Sequence, residues 1–115
     1  MILVIGPRFS YKKKFIMEKL GMSEEEWSSE CVSEAQELVR DSMTDARFLE
    51  LVLELSKKKA VTVSETGSGV VPMDKEERLF RERAGKLSLM LAEEAEEVFR
   101  VVCGLPQKLK GQENI

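Results

Sequence analysis

Lys12 and Lys13 follow a short apolar run and a glycine, and this is where the chain has the residue types to handle phosphate. Residues 1–13 read MILVIGPRFSYKK. A loop of the form G-x-x-x-x-G-K-[ST] cradles phosphate with backbone N–H groups, extends its lysine to the phosphates and gives its hydroxyl to Mg²⁺. Gly6-Pro-Arg-Phe-Ser-Tyr11-Lys12-Lys13 keeps the first glycine and the first lysine of that pattern. Tyr11 replaces the second glycine, where φ turns positive and backbone approaches phosphate closely. Holding a bulky residue there costs roughly 1–2 kcal/mol, and its ring can enter the phosphate's volume. Lys13 replaces the metal-binding hydroxyl. Two readings stay open. In one, Gly6, Arg8, Ser10, Lys12 and Lys13 form an anion site with the following helix N-terminus, Lys13 standing in for the metal's charge. In the other, the loop is a packing turn that binds nothing. ATP and GTP are the candidate nucleotides, and Mg²⁺ is not expected without the hydroxyl.

A second set of candidates lies in Ser64-Glu-Thr-Gly-Ser-Gly-Val-Val-Pro72 and the Arg-rich stretch after it. Glu65, just past an apolar run, could orient water or a metal. Gly67 and Gly69 allow either a tight strand-to-helix turn or close approach to a ligand. Arg78 and Arg81, three apart, share a helix face and could clamp a phosphate or carboxylate. They could equally pair with Glu77 and Glu82 or lie in a subunit interface.

Composition excludes several other chemistries. The 115 residues contain no histidine, so there is no imidazole base, metal ligand or nucleotidyl-histidine acceptor in this chain. Cys31 and Cys103 fit no CxxC metal pattern and are expected as two reduced, buried thiols of a cytoplasmic protein. A net charge of −3 gives no electrostatic case for nucleic acid. The apolar start at residues 1–5 is too short to span a membrane, and no membrane contact is expected.

The elements that must position these residues follow from periodicity. Residues 2–5 read as a strand buried on both faces. Residues 12–20 read as a helix stopped by Gly21, with Phe15, Ile16 and Leu20 on one side. Ser23-x-x-Glu26 and Ser33-x-x-Gln36 read as capping boxes, each starting a short helix. Residues 31–32 between them are loop or a stub of strand. Phe48, Leu51, Val52 and Leu55 make one stripe of a helix over residues 44–58. Residues 60–63 are the second buried strand. Asp74 opens the longest helix, residues 75–96, with Phe80, Ala84, Leu87, Leu91 and Ala95 as its core stripe. Residues 98–103 are the third strand, residues 104–107 a turn, and residues 108–110 an antiparallel return at the edge. The chain is expected to be one domain over residues 1–111, with a frayed tail at 112–115. The fold class is α/β: a small three-layer sandwich with a short, mostly parallel sheet. The strand at 2–5 should sit between those at 60–63 and 98–103. Ligands of such sheets bind beyond the carboxyl ends of the strands, where both candidate loops lie.

These segments resemble the bifunctional adenosylcobinamide kinase/adenosylcobinamide-phosphate guanylyltransferase family of cobalamin biosynthesis. That family has a strand followed by Asn-Glu-Val-Gly-x-Gly-x-Val-Pro, then a helix containing Arg-x-Phe-Arg-Asp-x-x-Gly-x-x-Asn-Gln. This chain matches at Glu65, Gly67, Gly69, Val71 and Pro72, then without a gap at Arg78, Phe80, Arg81 and Gly85. Glu82 stands for Asp, while Ser88 and Leu89 replace the Asn-Gln pair. Glu97-Val-Phe-Arg-Val-Val-Cys-Gly104 is similar to the family's last strand. The resemblance implies a P-loop-like fold, nucleotide-dependent transferase ancestry and a homo-oligomer, since family members assemble into ring-like oligomers. Members also carry further strands, an acidic strand end and a guanylylated histidine between the two loops; here only small helices are expected there. The resemblance thus implies a shortened, degenerate member without the family's catalysis, retaining weak nucleotide or phosphate binding. Two alternatives stand beside it: a non-catalytic oligomeric or regulatory interaction protein, and an active small kinase with an unorthodox loop.

Overall fold

Leu3 and Val4 are neighbours on one strand, so their side chains point to opposite faces, and both are wholly buried. That requires a layer on each side of the sheet. The computed structural model, which describes residues 1–66 and 74–111, supplies both. The elements are β1 (Ile2–Gly6), α1 (Lys12–Leu20), α2 (Glu24–Glu30), β2 (Cys31–Val32), a 3₁₀ turn (Ala35–Val39), α3 (Asp45–Ser56), β3 (Ala60–Ser64), α4 (Lys75–Glu94), β4 (Glu97–Val102) and β5 (Leu105–Lys110). The sheet has five strands in the order β2-β3-β1-β4-β5. β1 runs parallel to β3, with Ile2 opposite Ala60 and Gly6 opposite Ser64, and parallel to β4, with Ile2 opposite Glu97. β2 is parallel to β3, and β5 is antiparallel to β4. The expected α/β sandwich, its central strand and its antiparallel edge are all present.

Side-chain alternation sorts the core into two clusters. Leu3, Val61, Val63 and Val98 face α3, α4 and the 3₁₀ turn. Val4, Ala60 and Val101 face Ile16 of α1, Met22 and Trp27 of α2. The stripe of α3 is buried as its spacing requires, and each such side chain contributes about 1.5–3 kcal/mol by leaving water. Helix starts follow local chemistry. Ser23 and Glu26 form a reciprocal capping box on α2, Thr44 Oγ1 accepts from Arg47 N–H, and Asp74 Oδ1 accepts from Glu76 N–H.

Three local expectations change. Ser33 and Gln36 make no capping box, because Ser33 Oγ accepts from Trp27 Nε1 and Gln36 turns into the sheet edge. Of the two readings open for residues 31–32, the stub of strand holds, since Glu30 O accepts from Lys59 N–H and brings them beside β3. The turn after β4 is shorter than expected: Cys103 and Gly104, both left-handed at φ 53 and 76, close a two-residue hairpin between Val102 and Leu105. Pro106 therefore lies in β5, an edge position where its missing N–H removes no ladder bond. That turn also leaves Cys103 exposed, so only Cys31 is a buried thiol, and burial raises its pKa. The tail at 112–115 lies outside the described residues. No helix among the described residues is long and apolar enough to cross a membrane.

Candidate functional site

The carboxyl ends of β1, β2 and β3 meet at one edge of the sheet and bring together residues 6–12, 33–34 and 64–65. Gly6 closes β1, and its carbonyl accepts from Glu65 N–H at 2.8 Å. A Cβ on Gly6 would run into the carbonyl oxygen of Val101, so packing against β4 by itself demands glycine here. Tyr11 keeps the backbone that the replaced glycine would have: φ 66, ψ 34, left-handed. The residue is 64% exposed. No side-chain hydrogen bond caps α1, so the N–H groups of its first turn are not taken by a capping group.

The lysine of the loop turns inward. Lys12 Nζ is buried and donates to Pro7 O at 2.8 Å and Ser64 Oγ at 3.1 Å, with Glu34 Oε1 at 3.6 Å. Two of the ammonium's three N–H donors are taken by hydrogen bonds, and Glu34 stands beside it as an ion-pair partner. Glu34 is held for this encounter. Its backbone is left-handed at φ 52, its N–H donates to Thr62 Oγ1 at 3.0 Å, and its carboxylate accepts from Ser64 Oγ and Gln36 Nε2. Burial opposes ionisation of Glu34, but the hydrogen bonds from Ser64 and Gln36 and the charge of Lys12 outweigh it. Its carboxyl sits below the ordinary range.

The other loop cations also end on carboxylates. Lys13 Nζ reaches Glu24 Oε2 at 2.8 Å and lies over the Trp27 ring, and Arg8 Nη2 reaches Glu37 Oε1 at 3.1 Å. Ser10 is buried, its carbonyl accepts from Gly104 N–H, and its Oγ has no hydrogen-bond partner among the described residues. Beside the loop a groove of about 860 Å³ opens between α1 and the start of α2, lined by Phe9, Tyr11, Lys13, Met17, Met22 and Glu34 among others. Its size suits a small organic ligand.

Glu65 faces Arg100 of β4 in a bidentate pair at 2.6 and 3.0 Å. Hydrogen bonding to Arg100 holds its carboxyl below the usual range against the opposing effect of burial. Gly67 and Gly69 lie outside the described residues. Arg78 and Arg81 stand in the first two turns of α4, whose buried stripe packs on the sheet face opposite α1. Arg78 is exposed and Arg81 half-buried, and the Glu77 carboxylate takes Arg40 at 3.3 Å. No cluster of three or more possible metal-ligating residues occurs among the described residues.

Two members of this edge, Glu34 and Arg100, escape sequence reasoning. The signal for Glu34 was a polar pair, Ser33-Glu34, directly after an apolar stub. The expectation of only small helices between the two loops is therefore corrected: β2 and an acidic residue beyond its end stand there.

A family model described as cobinamide kinase / cobinamide phosphate guanyltransferase matches residues 10–109. The chain belongs to that family. It is 41% identical over 65 residues to the bifunctional adenosylcobalamin biosynthesis protein CobP of Pseudomonas aeruginosa, a match that covers 56% of this chain and 38% of that relative. The chain thus spans well under half the length of the relative it matches. The family match begins within the loop after β1 and takes in Lys12, Lys13 and the three carboxylates that pair with the loop cations.

Proposed function

We propose that this chain is a cobinamide-kinase/guanyltransferase-like protein linked to cobalamin metabolism that performs neither transfer reaction and keeps weak affinity for phosphate-bearing ligands such as ATP or GTP. The observation that carries this reading is the state of Lys12, whose buried ammonium is already engaged by Pro7, Ser64 and Glu34. A phosphate would have to compete with these partners for the cation. Two sequence facts support it. Lys13 offers an ammonium where Mg²⁺ needs a hydroxyl, and the chain holds no histidine to accept a guanylyl group. The remaining attraction comes from the N-terminus of α1 and partly exposed cations. A dissociation constant near millimolar, about −4 kcal/mol, is the expected scale.

A second reading is favoured by the open edge of the sheet. All six residues of β5 are exposed, with Leu105 and Leu109 at 73% and 51%. Such an edge suits a homo-oligomer or a regulatory partner.

The deciding experiment combines activity and calorimetry on the full chain. No GTP-dependent phosphorylation or guanylylation of cobinamide is expected, and detection of either overturns the non-catalytic reading. Tyr11→Gly with Lys13→Ser should tighten Mg-nucleotide binding about tenfold, about 1.4 kcal/mol, by restoring a glycine and a metal ligand. Unchanged affinity in that double variant means that the loop is no phosphate site, and the interaction reading takes its place.

A further inference from the structure

The three carboxylates that meet the loop cations come from one stretch of chain. Glu24 opens α2, Glu34 follows β2 and Glu37 lies in the 3₁₀ turn, so residues 24–37 pass under the loop and touch it three times. Their hold is graded. Glu24 and Glu37 have side chains 73% and 41% exposed, and Glu37 keeps a second partner, Arg40, at 2.8 Å. Glu34 is itself 43% exposed, but it faces a lysine side chain only 3% exposed, where Lys13 and Arg8 are 41% and 62% exposed, and it sits on a disfavoured left-handed backbone. Ser64 and Gln36 add hydrogen bonds that fix the carboxylate's orientation.

We infer that residues 24–37 act as an autoinhibitory strap, whose carboxylates occupy the loop cations as an internal anion that a polyphosphate must displace to bind. Glu24 and Glu37 are the outer contacts, released at little cost because water reaches both members of each pair. Glu34 is the inner contact and the gate, since Lys12 cannot turn to a ligand while Glu34 and Ser64 hold it. The inference rests on the loop's being a weak anion site, and it names what keeps that site weak. A purely structural role for the same ion pairs makes a different prediction: their loss would lower stability and leave anion affinity alone.

The test is titration calorimetry of the full chain with inorganic tripolyphosphate at low ionic strength. Glu24→Gln and Glu37→Gln should each bind about threefold tighter than the unmodified chain, as expected for freeing a surface ion pair. Glu34→Gln should bind at least about tenfold tighter, because it releases a buried cation. Glu25→Gln makes the same charge change on an exposed neighbour that pairs with no loop cation among the described residues, and it should change little. In a Lys12→Met background the gain from Glu34→Gln should disappear. Affinities of Glu24→Gln and Glu37→Gln equal to that of Glu25→Gln overturn the strap, and so does a Glu34→Gln gain that persists without Lys12. Should Glu34→Gln fail to fold, the two exposed variants decide alone. Cobinamide phosphorylation by the unmodified chain would refute the non-catalytic reading without touching the strap. Equal tripolyphosphate affinities would refute the strap without touching that reading.

Discussion

Replacing Tyr11 by glycine should make this protein more stable, against the usual expectation for removing a large side chain. Tyr11 stands at φ 66, ψ 34, where the Cβ of an L-residue crowds its own backbone. That strain is worth roughly 1–2 kcal/mol, and glycine removes it. Glycine in turn adds freedom to the unfolded chain, which costs about 0.5–1 kcal/mol. The ring itself contributes little, since the residue is 64% exposed and the Lys14 ammonium stands 6.0 Å from the ring centroid. The balance is a gain of roughly 0.5–1 kcal/mol, or about 2–4 °C in Tm for a domain of this size. Urea unfolding followed by Trp27 fluorescence measures it directly, since Trp27 is the chain's single tryptophan and is 4% exposed. Tyr11→Ala is the control. It deletes the ring yet leaves a Cβ in the left-handed region, and should give no gain. Equal stabilities of the glycine and alanine variants would refute the backbone-strain account and put the effect in the ring.

Gly6→Ala should destabilise by about 2–3 kcal/mol in the same urea assay, because its new Cβ meets backbone that cannot rotate away, the Val101 carbonyl. An unchanged midpoint would show that β1 and β4 can separate locally. Stability should also fall in acid in a defined way. Glu34 and Glu65 have folded-state pKa values below the ordinary 4.5, so their contribution is complete above that value and is lost as pH falls through the lower folded-state values. Urea midpoints measured from about pH 5 down to about pH 3 should drop, and the drop should be shallower in Glu65→Gln, which has no carboxyl to protonate. An identical slope in that variant would remove Glu65 from the linkage.

The sequence by itself determined whatever depends on neighbours along the chain. Apolar runs at residues 2–5 and 60–63 marked strands buried on both faces. Spacing on α3 and α4 named the residues that face the core, and Ser23 and Asp74 marked helix starts, because caps and stripes are matters of three or four residues. The glycine-to-tyrosine change at Tyr11 was legible for the same reason: the pattern fixes the backbone conformation there, and the structure keeps it. Only the tertiary structure decided who partners whom at the sheet edge. Glu34 meets Lys12 because β2 pairs with β3 and β3 with β1, and Arg100 meets Glu65 because β4 lies on the other side of β1. Ser33 and Gln36 carried a sound local signal for a cap, yet Trp27 Nε1 and Ser64 N–H claimed them instead. A polar group that is leaving water bonds with whatever partner the assembled fold offers, and pairings between residues some twenty to fifty positions apart are set by strand order, which no local pattern encodes.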